Sequence, residues 1–309
     1  MADPLFAVMK KLINLILMGF WGAVYGVRKL FLPRFRRKNQ AKLAKSARPV
    51  LKGEHALMLV AAQHGDVRAQ YHLAVCYAEG KDLEQDYGEA AHWFHEAAEQ
   101  GDANACYSLG ICYANGQGVA QEPEEAVKWL RRAAEQEHPS AQVSLGVCLQ
   151  KGLGVWGSPE EAVAWFRRAA EHGDATGQIS LASHLLNGEG VPQNQTEAVS
   201  WFRKAAEQGL PEAAYNLGKC YQSGQGVARD DVQGFQYFEM AAKSGLPQAQ
   251  YELAKCYHRG RGTEVNLAEA LKWSQLAADR AFRPARDHKD ELEKELAVEA
   301  GAAEPHLVS

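Results

Sequence analysis

The sequence predicts an all-α protein, a right-handed α/α solenoid of six 36-residue helix-turn-helix repeats preceded by a membrane-associated helix. Three observations carry that reading. Leu73, Leu109, Leu145, Leu181, Leu217 and Leu253 fall 36 residues apart, and Trp93, Trp129, Trp165, Trp201, Tyr237 and Trp273 keep the same interval. Ala97–Ala98 returns at 133–134, 169–170, 205–206, 241–242 and 277–278. Charge is divided unevenly: residues 1–50 hold 11 Lys and Arg against one acid, Asp3, whereas the remainder holds 23 against 37. A unit repeated this faithfully cannot bury its apolar face alone, so neighbours stack on one another.

The basic region comes first in the chain. Leu12 to Val27 is a 16-residue run without charge. As a helix it measures ~24 Å against a hydrocarbon core of ~30 Å. Snorkelling by Lys10, Lys11, Arg28 and Lys29 would close that gap. The same residues also suit a helix lying in the headgroup plane. On a helical wheel Lys10, Lys11, Asn14, Tyr25, Arg28 and Lys29 share one side, with Leu12, Leu15, Ile16, Phe20, Val24 and Val27 mostly opposite. A cleaved secretory signal fits less well, because cations rather than a small-x-small site follow the run. The candidate membrane contacts are Lys10, Lys11, Trp21, Arg28, Lys29, Arg34, Arg36 and Arg37, with anionic lipid as their partner. If the run spans, the cations after it place the solenoid on the cytoplasmic face of the inner or plasma membrane.

Residues 51–64 follow as an N-terminal capping half-repeat, with Leu57, Met58, Ala61 and Ala62 in register with Trp93, Phe94, Ala97 and Ala98. Residues 65–280 form the six repeats. In residues 101–136 a first helix places Ala105, Leu109, Cys112 and Tyr113 at helical spacing. A second places Ala126, Trp129, Leu130, Ala133 and Ala134 on one apolar stripe. Ser158-Pro159-Glu160-Glu161 supplies an N-cap, a proline at the first helical position and a capping-box glutamate, and Asn194 with Glu197 repeats the arrangement. Gly101, Gly173, Gly209 and Gly245 mark the ends of second helices. Gly116-Gln117-Gly118-Val119 and its echoes at 188–191 and 224–227 read as tight turns between paired helices. Residues 281–309, rich in charge, form a capping helix and a tail.

These residues carry a family resemblance. Leu109-Gly110-x-x-Tyr113-x-x-Gly116-x-Gly118-Val119, and Ala162-x-x-Trp165-Phe166-x-x-Ala169-Ala170-x-x-Gly173 in the next unit, resemble the Sel1-like repeat, a relative of the tetratricopeptide repeat. Three positions depart from it: Asp82 replaces the second loop glycine of the first unit, and Glu137 and Ala281 stand where a glycine closes a repeat. The resemblance implies that first helices line a concave face that binds a protein or peptide. Two series would then line it: His72, Ser108, Ser144, Ser180, Asn216 and Glu252, and one turn further Glu79, Asn115, Lys151, Asn187, Ser223 and Arg259. The groove they outline is mostly uncharged and hydrogen-bonding, and suits an extended polar peptide. Trp156, off the repeat register in a loop, is a candidate hot spot or a residue packed on its neighbour.

The cysteines bear on compartment and chemistry. Cys76, Cys112, Cys148, Cys220 and Cys256 share one repeat position, with His184 in the sixth place. Stacked equivalents lie on the order of 10 Å apart, too far for a disulfide. The helix-joining pair of the cysteine-rich branch of the family is absent. A reducing compartment follows, as does a reading of these thiols as small packing residues; a redox- or metal-responsive ladder is the alternative. No H-E-x-x-H, C-x-x-C, G-x-S-x-G or S-x-x-K occurs, so neither catalytic residues nor a cofactor are expected. The acidic array repels phosphate, so nucleic acid is not an expected partner. The expected function is a non-enzymatic, membrane-tethered adaptor, with an exported envelope or host-interaction protein as a further alternative.

Overall fold

A computed structural model describes residues 53–80 and 83–302. The described residues form fourteen helices and no strand. Helix α1 (Glu54–Gln63) precedes six helix pairs. The first or A helices of the pairs are α2 (Val67–Glu79), α4 (Ala103–Asn115), α6 (Pro139–Lys151), α8 (Ala175–Asn187), α10 (Pro211–Ser223) and α12 (Pro247–Arg259). The B helices are α3 (Tyr87–Glu99), α5 (Pro123–Glu135), α7 (Pro159–Glu171), α9 (Gln195–Glu207), α11 (Asp231–Lys243) and α13 (Leu267–Asp279), and α14 (Arg283–Ala302) closes the array. Each described helix packs chiefly on its neighbours in the chain, which makes the array of residues 53–302 solenoid-like.

The periodic residues are the core. All six leucines of the 36-residue series are fully buried, and so are Ala97, Ala133, Ala169, Ala205, Ala241 and Ala277. Large B-helix side chains face small A-helix residues in repeats two, three and five, Leu130 against Gly110, Phe166 against Gly146 and Phe238 against Gly218. Phe166 fits because residue 146 is glycine: a Cβ there would lie 2.5 Å from Phe166 Cε1. Gly218 is matched to Phe238 in the same way, at 2.6 Å. Full burial of each such ring contributes roughly 1.5–3 kcal/mol.

The two glycines of the inter-helix loop have different roles. Gly116 is the left-handed C-cap of α4, with φ 67°. Gly118 also has positive φ, but what fixes it is a neighbouring repeat: a Cβ there would lie 1.8 Å from the carbonyl oxygen of Tyr87. Gly154, Gly190, Gly226 and Gly262 meet Pro123, Pro159, Gln195 and Asp231 in the same manner. The second glycine is thus where one repeat's loop crosses the first turn of the preceding B helix. The sequence reading of a tight turn alone misses this close approach. Asp82, at that place in the first repeat, lies outside the described residues.

Helix ends follow the sequence with one difference. Ser158 Oγ accepts from Glu161 N at 3.2 Å, and Asn194 Oδ1 from Glu197 N at 3.1 Å. Neither Glu161 nor Glu197 completes a capping box, because the Ser158 and Asn194 amides are already bonded to Leu149 O at 3.0 Å and Leu185 O at 2.8 Å. The two carboxylates turn instead to Arg131 and Arg167 of the preceding B helices, both at 2.7 Å. Asp66, Asp102 and Asp174 cap A helices through their carboxylates, and His138 caps α6 through Nδ1 at 3.2 Å. Glu137 and Ala281 keep the left-handed conformation of the glycines they replace, at φ 62° and 61°.

Among the described residues no helix is long and apolar enough to cross a membrane. The expected N-terminal membrane helix, with Lys10, Lys11, Trp21, Arg28, Lys29, Arg34, Arg36 and Arg37, lies outside the described residues.

Candidate partner-binding surface

The A-helix positions expected to bind a partner divide into available and committed groups. His72 is exposed, and Ser108, Ser144, Ser180, Asn216 and Glu252 are half-buried along the array. Asn187, Arg259, Lys151 and Ser223 are exposed, whereas Glu79 and Asn115 are half-buried. Several of their polar atoms are already used. Ser180 Oγ donates back to Thr176 O at 2.9 Å, and Ser223 Oγ to Lys219 O at 2.8 Å. Asn187 Nδ2 donates to Glu189 at 3.1 Å, and Glu252 pairs with Lys255 at 2.7 Å. Ser144 is hydrogen-bonded to Tyr107, whose phenol burial pushes up to about 12. His72, Ser108, Asn216 and Arg259 remain the better placed members of the set.

A further A-helix series went unread in the sequence, although it lies three residues along from the first. It runs Val75, Ile111, Val147, Ser183, Lys219 and Lys255. The three apolar members are half-buried, and the two lysines lie over tyrosine rings, Lys219 at 5.7 Å from Tyr215 and Lys255 at 4.8 Å from Tyr251. The surface therefore changes from apolar in repeats one to three to cationic in repeats five and six. Spacing at i, i+3 from the predicted series is the signal that finds it.

The B helices present a surface that is largely satisfied by itself. Arg131 pairs with Glu161 and Arg167 with Glu197, both at 2.7 Å across a repeat boundary. The same carboxylates accept from Trp165 Nε1 at 3.3 Å and Trp201 Nε1 at 3.2 Å. Arg131 and Arg167 hold Glu161 and Glu197 below the usual carboxylate range, with the indole bonds adding to the effect. Arg168 lies 4.6 Å over Trp165 and Lys204 3.9 Å over Trp201. In repeat one Trp93 Nε1 is buried with no hydrogen-bond partner.

Repeats are also joined by buried glutamines, which the sequence reading passed over. Nε2 of Gln70, Gln142, Gln178 and Gln250 donates to the carbonyls of Ala62, Ala134, Ala170 and Ala242, at 3.0 to 3.3 Å. Cys106, the cysteine outside the ladder, takes this place in repeat two and donates Sγ to Ala98 O at 3.6 Å. None of the ladder cysteines is in a disulfide. Burial pushes Cys112, Cys148, Cys220 and Cys256 up to about 11, which favours the protonated thiol. Among the described residues no group of three or more His, Cys, Asp and Glu is placed to hold a metal ion.

Trp156 does not pack on a neighbour. It is 95% exposed in the α6–α7 loop, beside a depression of about 400 Å³ lined by Glu124, Gly152, Gly154, Val155 and Gly157.

Comparison with known families finds the Sel1 repeat at residues 67–102, 103–138, 139–174, 175–210, 211–246 and 247–282. Among solved structures the chain is similar to a protective antigen present in uropathogenic Escherichia coli strains that displays an SLR fold. The two are 35% identical over 80% of this chain, with a TM-score of 0.75. The chain spans 53%, about half, of that antigen's length. It is 30% identical to a Sel1 repeat protein from Oxalobacter formigenes, over 73% of this chain and 97% of that one, with a TM-score of 0.65. PilF of Pseudomonas aeruginosa, 18% identical over 76% of this chain and 99% of its own, shares the fold alone at a TM-score of 0.52. No curated protein matches the chain.

Proposed function

We propose, on the premise that the chain belongs to the Sel1 repeat family, that it is a non-enzymatic adaptor tethered to a membrane by residues 1–50. Proteins of this family generally mediate protein–protein interaction. In this reading the array winds right-handed, its A helices line the concave side, and a partner protein lies along them as an extended segment. The observation that carries the reading is the contrast between the two helix faces. B-helix charges are paired across repeats, whereas the A-helix series vary over an invariant core and keep polar groups available at His72, Ser108, Asn216 and Arg259. Val75, Ile111 and Val147 would seat the apolar side chains of the same segment. The tether reading rests on the excess of cations in residues 1–50 and would hold the array at the cytoplasmic face of the membrane through anionic lipid.

Cross-linking in cells followed by affinity purification tests both parts. The full chain, residues 51–309 and Asn216→Trp are compared, with circular dichroism as the check on folding. A stoichiometric partner that is lost with Asn216→Trp supports the groove, and its recovery from membranes by the full chain alone supports the tether. No enriched partner, or one captured equally by Asn216→Trp, sinks the groove.

The similarity to a protective antigen favours one second reading, an envelope or host-facing protein. That reading requires removal of the basic N-terminal region, so amino-terminal sequencing of the protein from cells decides between the two. The remaining alternative, a redox or metal switch on the cysteine ladder, is disfavoured by burial that keeps the thiols protonated.

A further inference from the structure

Trp156 is 95% exposed, whereas Trp93, Trp129 and Trp165 are buried. It sits where repeat three departs from the others at the next residue as well. Repeats one, two and four carry Gln85, Gln121 and Gln193 at that next position. Each Nε2 donates to a carbonyl at the end of its A helix: Ala78 O at 2.8 Å, Ala114 O at 2.9 Å and Leu186 O at 2.8 Å. Arg229 and Val265 hold the position in repeats five and six. Their side chains cover the C-cap glycine, coming within 3.5 Å of a Cβ built on Gly224 and 3.0 Å of one built on Gly260. Repeat three has Gly157 there, and around Gly152 only backbone atoms approach such a Cβ, at 3.7 Å.

Two consequences follow from that one glycine. The C-cap lies open in the depression of about 400 Å³ beside the indole. The Gln150 carbonyl also lacks the side-chain donor that its equivalents accept in three other repeats. Glu124, from the first turn of the preceding B helix, lines the same depression and is exposed. Glu122 and Glu160 nearby in the chain are exposed as well, and Lys151 is the single cation in the sequence between residues 148 and 162.

We propose that this loop edge is a docking site for an arginine-bearing basic segment of a partner protein. The guanidinium would stack on Trp156, donate to the Gln150 carbonyl and pair with Glu124. This rests on the protein-binding reading above and extends it to the loop edge at the end of α6, next to Lys151 of the second A-helix series. An arginine can satisfy all three features at once, because its planar group stacks through its face while its N–H donors act in the plane. Lysine offers a point charge and no face, and an acidic or aliphatic group would leave carbonyl and carboxylate unpaired.

The test uses the full chain with its tryptophan indoles labelled with nitrogen-15, titrated with blocked tetra-arginine, tetra-lysine and tetra-glutamine peptides. Trp156→Phe identifies the Trp156 signal. The expected result is a saturable shift of that indole with tetra-arginine, while the other six of the seven tryptophans stay in place. Tetra-lysine should bind about threefold more weakly, and tetra-glutamine should give no shift. Glu124→Gln, an exposed change that leaves the core intact, should weaken the arginine peptide about threefold at low salt. Equal shifts with tetra-glutamine, or Glu124→Gln without effect, would overturn the proposal. Failure of the groove reading is seen separately, as partner capture that Asn216→Trp does not alter, and leaves this titration unchanged.

Discussion

At the scale of single residues, the glycines separate two physical constraints that look alike in sequence. Gly118 has left-handed backbone and stands against Tyr87 O; Gly173 has left-handed backbone with no atom within 4 Å of a Cβ. Gly173→Ala should therefore cost about 1 kcal/mol for conformation alone. Gly118→Ala adds a backbone clash that only a shift between repeats relieves, and should cost more than about 3 kcal/mol. The reverse experiment uses the two departures. Glu137 and Ala281 already bear left-handed φ, so Glu137→Gly and Ala281→Gly should each stabilise by about 0.5–1 kcal/mol. Urea titrations of the four variants check the order; equal costs at Gly118 and Gly173 would refute the assigned inter-repeat contact. The sequence shows which positions are glycine at a fixed period. It does not show which of them touch another repeat, because that depends on where a loop crosses a helix 30 residues earlier.

At the scale of helices, the C-terminal element is held by a polar chain that no local pattern reveals. Ser274 Oγ lies 2.9 Å from His288 Nδ1, His288 Nε2 lies 2.9 Å from His258 Nδ1, and His258 Nε2 lies 2.9 Å from Glu295. With both rings neutral every site is filled: Glu295 accepts from His258, His258 from His288, and His288 from Ser274. Ser274 occupies the place held by phenylalanine in four of the other B helices, so the polar chain replaces an apolar plug. With both rings cationic, two N–H groups would be set against each other. Burial, with His258 next, lowers His288 below its ordinary value; Arg259 and Lys255 on α12 add to this, and Glu291 on α14 opposes it. A depressed folded value means that the stabilisation is present above pH ~6.5 and is lost as pH falls through the folded value. The protection factors of α14 amides, taken relative to the intrinsic exchange rate at each pH, should fall as pH drops below about 6.5, ahead of those of α4 to α9. His288→Phe should remove that pH dependence; its persistence would place the acid-sensitive group elsewhere. The charged helix itself is plain in the sequence. Its attachment is not, since histidines 30 residues apart carry no shared period with the repeat.

At the scale of the whole array, stability should be a sum of nearest-neighbour terms, and those terms are unequal. Repeats two to four join their B helices by Arg131–Glu161 and Arg167–Glu197 and bury Leu130, Phe166 and Phe202 almost completely. Repeat five replaces the next glutamate with Gln233, so Arg203 turns to Tyr221 at 3.2 Å instead. Met240 and Leu276 stand exposed at the positions that Arg132, Arg168 and Lys204 hold over tryptophan rings in earlier repeats. The ion pairs are partly exposed and worth little one at a time, but they mark where the interfaces are fully formed. Opening should then propagate inward from the C-terminal repeats, with α5 and α7 the last B helices to exchange and α11 and α13 earlier. Gln178→Leu tests the coupling at the centre, since it removes the inter-repeat donor from the Ala170 carbonyl, which keeps the Gly173 N–H at 3.1 Å, and should cost about 0.5–1.5 kcal/mol. If the array behaves as nearest neighbours, that variant speeds exchange in α7 and α8 and leaves α12 and α13 as they were. Uniform acceleration along all repeats would show instead a single cooperative unit, and the graded surface from apolar to cationic would then be presented to a partner all at once or not at all.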